Sequence, residues 1–265
     1  MWHLHPSVAL GVLLLWGVYV LGIGPWRRKY GWSETVNRKQ VRLFGTGLVL
    51  LVFTLQGPLH ELSDRYLFSA HMVQHLMLTL VIPPLLLWGT PDWLLRPLTR
   101  IPAVNAVVSV LTRPAVAFLL ANGALIVWHV PVMYDLALRV HGIHIVQHLM
   151  YLATATLAWW PIMGMLPEWP RLTSPMQMTY LFLSTLPTGV IGSILSLSDR
   201  LIYKGYAETP KLWGLTPVSD QVLGGLLMWV GGSTLYLGAI TAIFFAWFYR
   251  EERESAAEQK AAWEA

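Results

Sequence analysis

Seven long apolar stretches, at about 6–24, 41–59, 70–90, 113–131, 144–165, 176–198 and 221–249, constrain this chain more than any other feature. Each approaches the roughly 20 residues that a helix needs to cross a hydrocarbon core. A helix also satisfies its own backbone hydrogen bonds, which lipid cannot do for it. The composition agrees: 55% of the residues are hydrophobic, 12% are charged, and the mean hydropathy is +0.52, which a water-soluble surface hardly tolerates. The expected fold is an all-α, polytopic transmembrane bundle of seven helices over residues 1–249, followed by a short polar tail, 250–265, read as a helix end or a disordered segment. The second stretch is short and carries Gln56 and Pro58, so its outer end is expected to kink or re-enter. No basic residue precedes the first stretch and no small-residue cleavage site follows it, which reads as a retained helix and not a cleaved signal peptide.

Orientation follows from the basic residues between the stretches, because cytoplasmic loops carry an excess of Lys and Arg. With the amino terminus outside, thirteen of them, Arg27, Arg28 and Lys29 among them, fall in the cytoplasm, and five, Arg65, Arg139, Arg200, Lys204 and Lys211, fall outside. The expected topology is therefore amino terminus out, carboxyl terminus in the cytoplasm. Tryptophans near the stretch ends, such as Trp26, Trp88, Trp128 and Trp213, suit interfacial belts. The pI of 9.4 comes from these short loops and reads as topology, with no nucleic-acid partner.

On that map all nine histidines fall in the outer half. His3 and His5 precede the first helix, His60 ends the second, His71 and His75 open the third, His129 ends the fourth, and His141, His144 and His148 open the fifth. Met72, Met77, Met133 and Met150 share the layer, as do Asp135, Asp199 and Asp220. The chain has no cysteine, so thiolate copper sites, iron–sulfur clusters and disulfides are excluded, and any metal must be held by His, Met, carboxylates or backbone.

A local repeat supplies the sharpest signal. His71-Met-Val-Gln-His75-Leu-Met77 and His144-Ile-Val-Gln-His148-Leu-Met150 agree at six of seven positions. Both open odd-numbered helices, which run in the same direction and set equivalent side chains at equal depth. Within each copy the histidines are four residues apart, on one helical face with β-carbons about 5–6 Å apart. That spacing lets two imidazoles converge on one metal, or lets the two helices present four imidazoles to a shared site. Gln74 and Gln147 are expected off that face, bonded to neighbouring helices or a loop. His129, in Trp128-His129-Val130-Pro131, is open to two readings, a ligand from a third helix or an interfacial side chain. His60 and His141 are expected to be interfacial, and the methionines to fill packing gaps, although a thioether in this layer suits copper(I).

Other motifs carry less. The terminal amine with His3, and His5 nearby, offers a nitrogen set for copper(II), set against an ordinary disordered end. His60-Glu61 begins like a zinc-protease signature, but Asp64 stands where the second histidine belongs. Asp220 and Gln221, after an outer loop from Trp213, lie at the positive end of their helix and are open to two readings, a pair facing the histidine side or a polar pair capping its own helix, and Gly224 and Gly225 permit close packing.

Together the two Gln-His-Leu-Met segments, the Trp128-His129-Val130-Pro131 step and the run from Trp213 to Trp229 resemble the CtaG family of cytochrome c oxidase assembly factors of bacterial plasma membranes. The resemblance covers the chain from the second helix to the seventh. It implies a multi-pass protein needed to mature a haem–copper oxidase, with a part in copper delivery and oxidase subunits as partners. Carried over by position, it points to His71, His75, His129, His144 and His148 as metal ligands. The expected function is a non-enzymatic factor that holds copper at the outer face and passes it on. The alternative is a haem protein, enzyme or electron carrier, with axial histidines from two helices. A transporter or proton pathway would place ionisable residues near the midplane, where these stretches have almost none.

Overall fold

A computed structural model describes residues 6–210 and 212–264, and these contain helices and no strand. His3, His5 and Lys211 lie outside the described residues. The helices are α1 (Pro6–Tyr30), α2 (Arg38–Leu55), α3 (Pro58–Arg65), α4 (Phe68–Gly89), α5 (Asp92–Thr99), α6 (Pro102–Leu111), α7 (Pro114–His129), α8 (Pro131–Arg139), α9 (His141–Met163), α10 (Ser174–Leu197) and α11 (Pro217–Glu264).

Proline sets most of the boundaries. Pro58, Pro102, Pro114, Pro131 and Pro217 each open a helix, where the missing N–H would have had no intrahelical partner. The same prolines bend the chain: α5 and α6 meet at 116°, α7 and α8 at 76°. The second stretch breaks as expected, at Gln56–Gly57, where Gly57 adopts φ 92, a conformation that favours glycine.

Among the described residues, five helical segments are long and apolar enough to cross a membrane, and up to seven if each bent pair is one span. The protein is therefore a multi-helix membrane protein. The sequence stretches map onto α1, α2 with α3, α4, α7, α9, α10 and α11. The fifth, α9, is a 23-residue helix whose histidine-rich first half keeps it out of that apolar set. The bent pair α5–α6 was not among the seven expected spans. The tail, left open between helix and disorder, continues α11 as helix through Glu264.

α4 contributes to a buried cluster that joins several helices. Phe68 and Met72 join Tyr134 of α8, Leu195 of α10, Met228 of α11, and Tyr203 and Tyr206 of the loop between α10 and α11 in one buried cluster. Backbone meets backbone where α10 crosses α11: a Cβ on Gly192 would sit 2.7 Å from the Gly225 carbonyl oxygen. α1 lies outermost, anchored by Tyr19, which stacks on Phe44 at 3.9 Å and donates its hydroxyl to the Gly89 carbonyl at 2.8 Å.

Candidate metal centre

The site is built on the first two turns of α4. These begin abruptly at Leu67, so the first N–H groups have no intrahelical acceptor. Asp220 supplies it. Its Oδ2 accepts the Phe68 N–H at 2.6 Å, and its Oδ1 accepts the Ser69 N–H at 3.2 Å and the Ser69 hydroxyl. Of its two readings, Asp220 thus takes the one on the histidine side, and its own helix is capped instead by a reciprocal Thr216–Ser219 pair. Gln221 does not cap either. Its amide accepts the Ile202 N–H at 2.7 Å and donates to the Arg200 carbonyl at 3.0 Å, fixing the loop that carries Tyr203 and Tyr206.

α4 then departs from regular geometry just below the histidines. A π-helical stretch runs from Met77 to Val81, above Pro83 and Pro84. Pro83 cannot donate to the Thr79 carbonyl one turn back, and the Trp159 indole of α9 takes that place at 2.9 Å. The proline pair thus docks α9 against α4 beneath the two repeats.

With α4 and α9 so placed, the repeats converge. His71, His75 and His148 each offer a nitrogen, and these atoms lie within 4.8 Å of one another. All three rings are buried, His71 completely. His144 packs beside them, 4.2 Å from His148 and 5.3 Å from His71 between ring centres. His129 stands on the other side, 6.0 Å from His75, and outside the close group. Of the five residues singled out, three therefore meet at one point and two flank it. His129 is buried, 6% exposed.

Neighbouring groups decide which nitrogen each ring presents. Burial pushes the Tyr206 phenol well above its ordinary pKa, and the protonated hydroxyl donates to the Ser63 carbonyl at 2.8 Å. Its oxygen is left to accept from His71 Nδ1–H at 3.0 Å, with the Tyr134 hydroxyl 2.7 Å from the same nitrogen. The Nδ1–H tautomer of His71 satisfies this acceptor and leaves the ring's lone pair on Nε2, which is buried with no hydrogen-bond partner. His129 follows the same logic. Its Nδ1 faces the Leu125 carbonyl at 2.7 Å, an obligate acceptor, so its lone pair is also on a partnerless Nε2.

His60 departs from expectation. It is not interfacial but buried, 8% exposed, with its ring 5.9 Å from His144 and 6.3 Å from His148. Gln74 donates to the Thr54 carbonyl at 2.8 Å, which fixes its amide orientation, so the same nitrogen must also donate to His60 Nδ1 at 3.0 Å. His60 then carries its proton on Nε2, 3.4 Å from Asp64, whose other oxygen is 3.6 Å from His144 Nδ1. His60 is therefore poised to hold Asp64 against His144, not to give a lone pair to a metal. Gln74 and Gln147 are both fully buried, three residues after the first histidine of each repeat. Gln74 does bond a neighbouring helix, as expected, whereas neither amide atom of Gln147 has a hydrogen-bond partner. His141 is exposed.

The supporting groups Tyr134, Tyr151, Tyr206 and Asp64 were not singled out from sequence. Two left a local signal. Tyr151 follows His148 by three residues on the same face, and Asp64 follows His60 by four. Tyr134 and Tyr206 left none, because they reach His71 across 63 and 135 residues.

The chain is 28% identical over 269 residues to an uncharacterized protein of Mycobacterium bovis, and the match covers 95% of this chain and 40% of that protein. It is 25% identical over 276 residues to an uncharacterized protein of Mycobacterium leprae, covering 98% and 41%. The chain thus spans about two-fifths of the length of these curated relatives. No solved structure matches it. The family signature described as cytochrome c oxidase caa3 assembly factor matches residues 17–250, most of the chain, and the protein belongs to that family.

Proposed function

We propose that this protein holds copper in the His71–His75–His148 triad and delivers it to a cytochrome c oxidase subunit on the outer face of a bacterial plasma membrane. The observation that carries the reading is a set of buried ring nitrogens with no hydrogen-bond partner: His71 Nε2, both nitrogens of His75, and His148 Nε2. A polar atom buried without a partner costs about 1–3 kcal/mol, which a coordinated ion offsets. Three neutral imidazoles suit copper or zinc, and a cytochrome c oxidase as the family's client favours copper. His144 is the candidate for completing the coordination sphere.

The site is buried but not remote. Asp64 is 25% exposed at its edge, and a cavity of about 180 Å³ reaches His148 from the side of α1. Three protein ligands leave a coordination position open, as a delivery site requires and a closed structural cage does not. The same packing speaks against haem. The cavities that touch His75, His129 and His148 have volumes of about 60 and 180 Å³, too small for a tetrapyrrole disc between two axial rings.

The test is metal analysis of purified protein and of its client. His75→Ala and His148→Ala should each remove most triad copper, and the double variant should lose little more, because ligands of one centre act as a unit. A strain lacking the protein should make oxidase short of copper and activity, partly restored by added copper through mass action. Full copper in that oxidase would overturn the delivery role.

A further inference from the structure

Among the described residues, His75 is the ring of the cluster that has both nitrogens buried without a hydrogen-bond partner. A neutral imidazole has one N–H and one lone pair. Tyr206 fixes the tautomer of His71 and the Leu125 carbonyl fixes that of His129, but no group fixes that of His75. One nitrogen of the ring serves the triad. The other is left for the far side, where α7 brings His129 within 6.0 Å and α9 brings Tyr151 within 4.5 Å between ring centres.

That far side is hollow. A cavity of about 60 Å³ is lined by His75, His129, Tyr151, Met72 and Met228, among others. A water-sized probe occupies about 10–15 Å³ on this measure, so an ion fits. His129 is one of the lining residues, and its Nε2 is buried with its lone pair unused. The two methionines are 0% and 3% exposed and come from α4 and from a π-helical stretch of α11, Leu227–Gly231. The lining includes no carboxylate. One imidazole and two thioethers form a soft, neutral donor set of the kind that selects copper(I) over harder ions.

We infer a second copper(I) position, separate from the triad, held by His129 Nε2 and the thioether sulfurs of Met72 and Met228, with His75 as the ring between the two. The inference rests on the reading of the triad as a copper site. His75 presents its lone pair to one position or the other, so an ion has an imidazole on either side of the step between them. The methionines that sequence reasoning assigned to packing acquire a ligand role, and His129 belongs to this position and not to the triad.

The two positions differ in donor type, and this makes them separable. Purified protein is loaded anaerobically with copper(I), using ascorbate and no thiol, then assayed for copper per chain and for sulfur scattering by X-ray absorption. The wild type should bind two equivalents, with copper–sulfur scattering present. The Met72→Leu/Met228→Leu variant, which nearly conserves side-chain volume, should bind one equivalent with nitrogen scattering only. His129→Gln should also bind one. His71→Ala should keep one equivalent, with the sulfur signal undiminished per ion. One equivalent and no sulfur in the wild type, or two equivalents in the double methionine variant, would overturn the second position and leave the triad standing. Loss of both equivalents in the double variant would also overturn it, because the triad fills independently. Unchanged copper in His71→Ala and His148→Ala would instead remove the triad reading on which it rests.

Discussion

Asp220 and Phe68 are 152 residues apart in sequence, yet the carboxylate of one accepts the backbone N–H of the other at 2.6 Å. The contact joins the start of the last helix to the start of the helix that carries His71 and His75. It holds the first turn of α4 in place of an intrahelical bond and places a negative charge at the positive end of that helix.

Asp220→Asn is therefore expected to destabilise the bundle out of proportion to its size. An amide that turns its NH₂ toward Phe68 and Ser69 meets donors with a donor. The loss should be about 1–3 kcal/mol, the usual cost of leaving buried groups unsatisfied or losing a charge-assisted bond. Thermal unfolding in detergent should show a lower midpoint, with copper occupancy falling in parallel. A variant as stable and as fully loaded as the wild type would mean that the α4 terminus finds another acceptor.

Tyr206→Phe removes the oxygen that accepts from His71 Nδ1–H, and Tyr134→Phe removes the second oxygen near that nitrogen. Groups that orient a ligand from behind typically account for 10–100-fold in metal affinity. Each variant should weaken copper binding by roughly that range while accumulating normally in the membrane. Competition with a copper chelator measures it. Equal affinity in both variants and the wild type would show that packing alone orients His71.

Orientation is testable with single cysteines, since the chain has none of its own. Thr35, in the loop between α1 and α2, and Glu208, in the loop beside the histidine cluster, are both exposed. With the amino terminus outside, Glu208→Cys should react with a membrane-impermeant thiol reagent in intact cells and Thr35→Cys only after lysis. The opposite pattern would place the histidine layer in the cytoplasm and end the case for delivery at the outer face.

The helical class, the position of the long apolar segments and the pairing of the two histidine repeats were legible in the chain because they depend on local terms: hydrophobic length, proline at helix starts, and a four-residue spacing that puts side chains on one face. The break at Gln56–Gly57 was legible for the same reason, since Pro58 removes a donor wherever it stands. His60 was misread because its burial depends on how α3 turns back over Gln74, a rotation set by one glycine conformation and one amide that the surrounding sequence does not disclose. Asp220 stayed open between two readings because a carboxylate near its own helix start is indistinguishable in sequence from one that reaches another helix. The division of five histidines into a triad and two flanking rings, and the choice of lone-pair nitrogen on His71 and His129, are tertiary facts. They depend on Tyr134, Tyr206 and the Leu125 carbonyl, acceptors placed at hydrogen-bond distance by the packing of α4, α7, α8 and the loop before α11. The sequence by itself determined which residue types could bind a metal and at what depth they enter the bundle. Only the packing of helices distant in the chain decided which of their nitrogens meet, because hydrogen bonds fix a ring's tautomer and orientation over about 3 Å, a scale that spacing along one helix does not resolve.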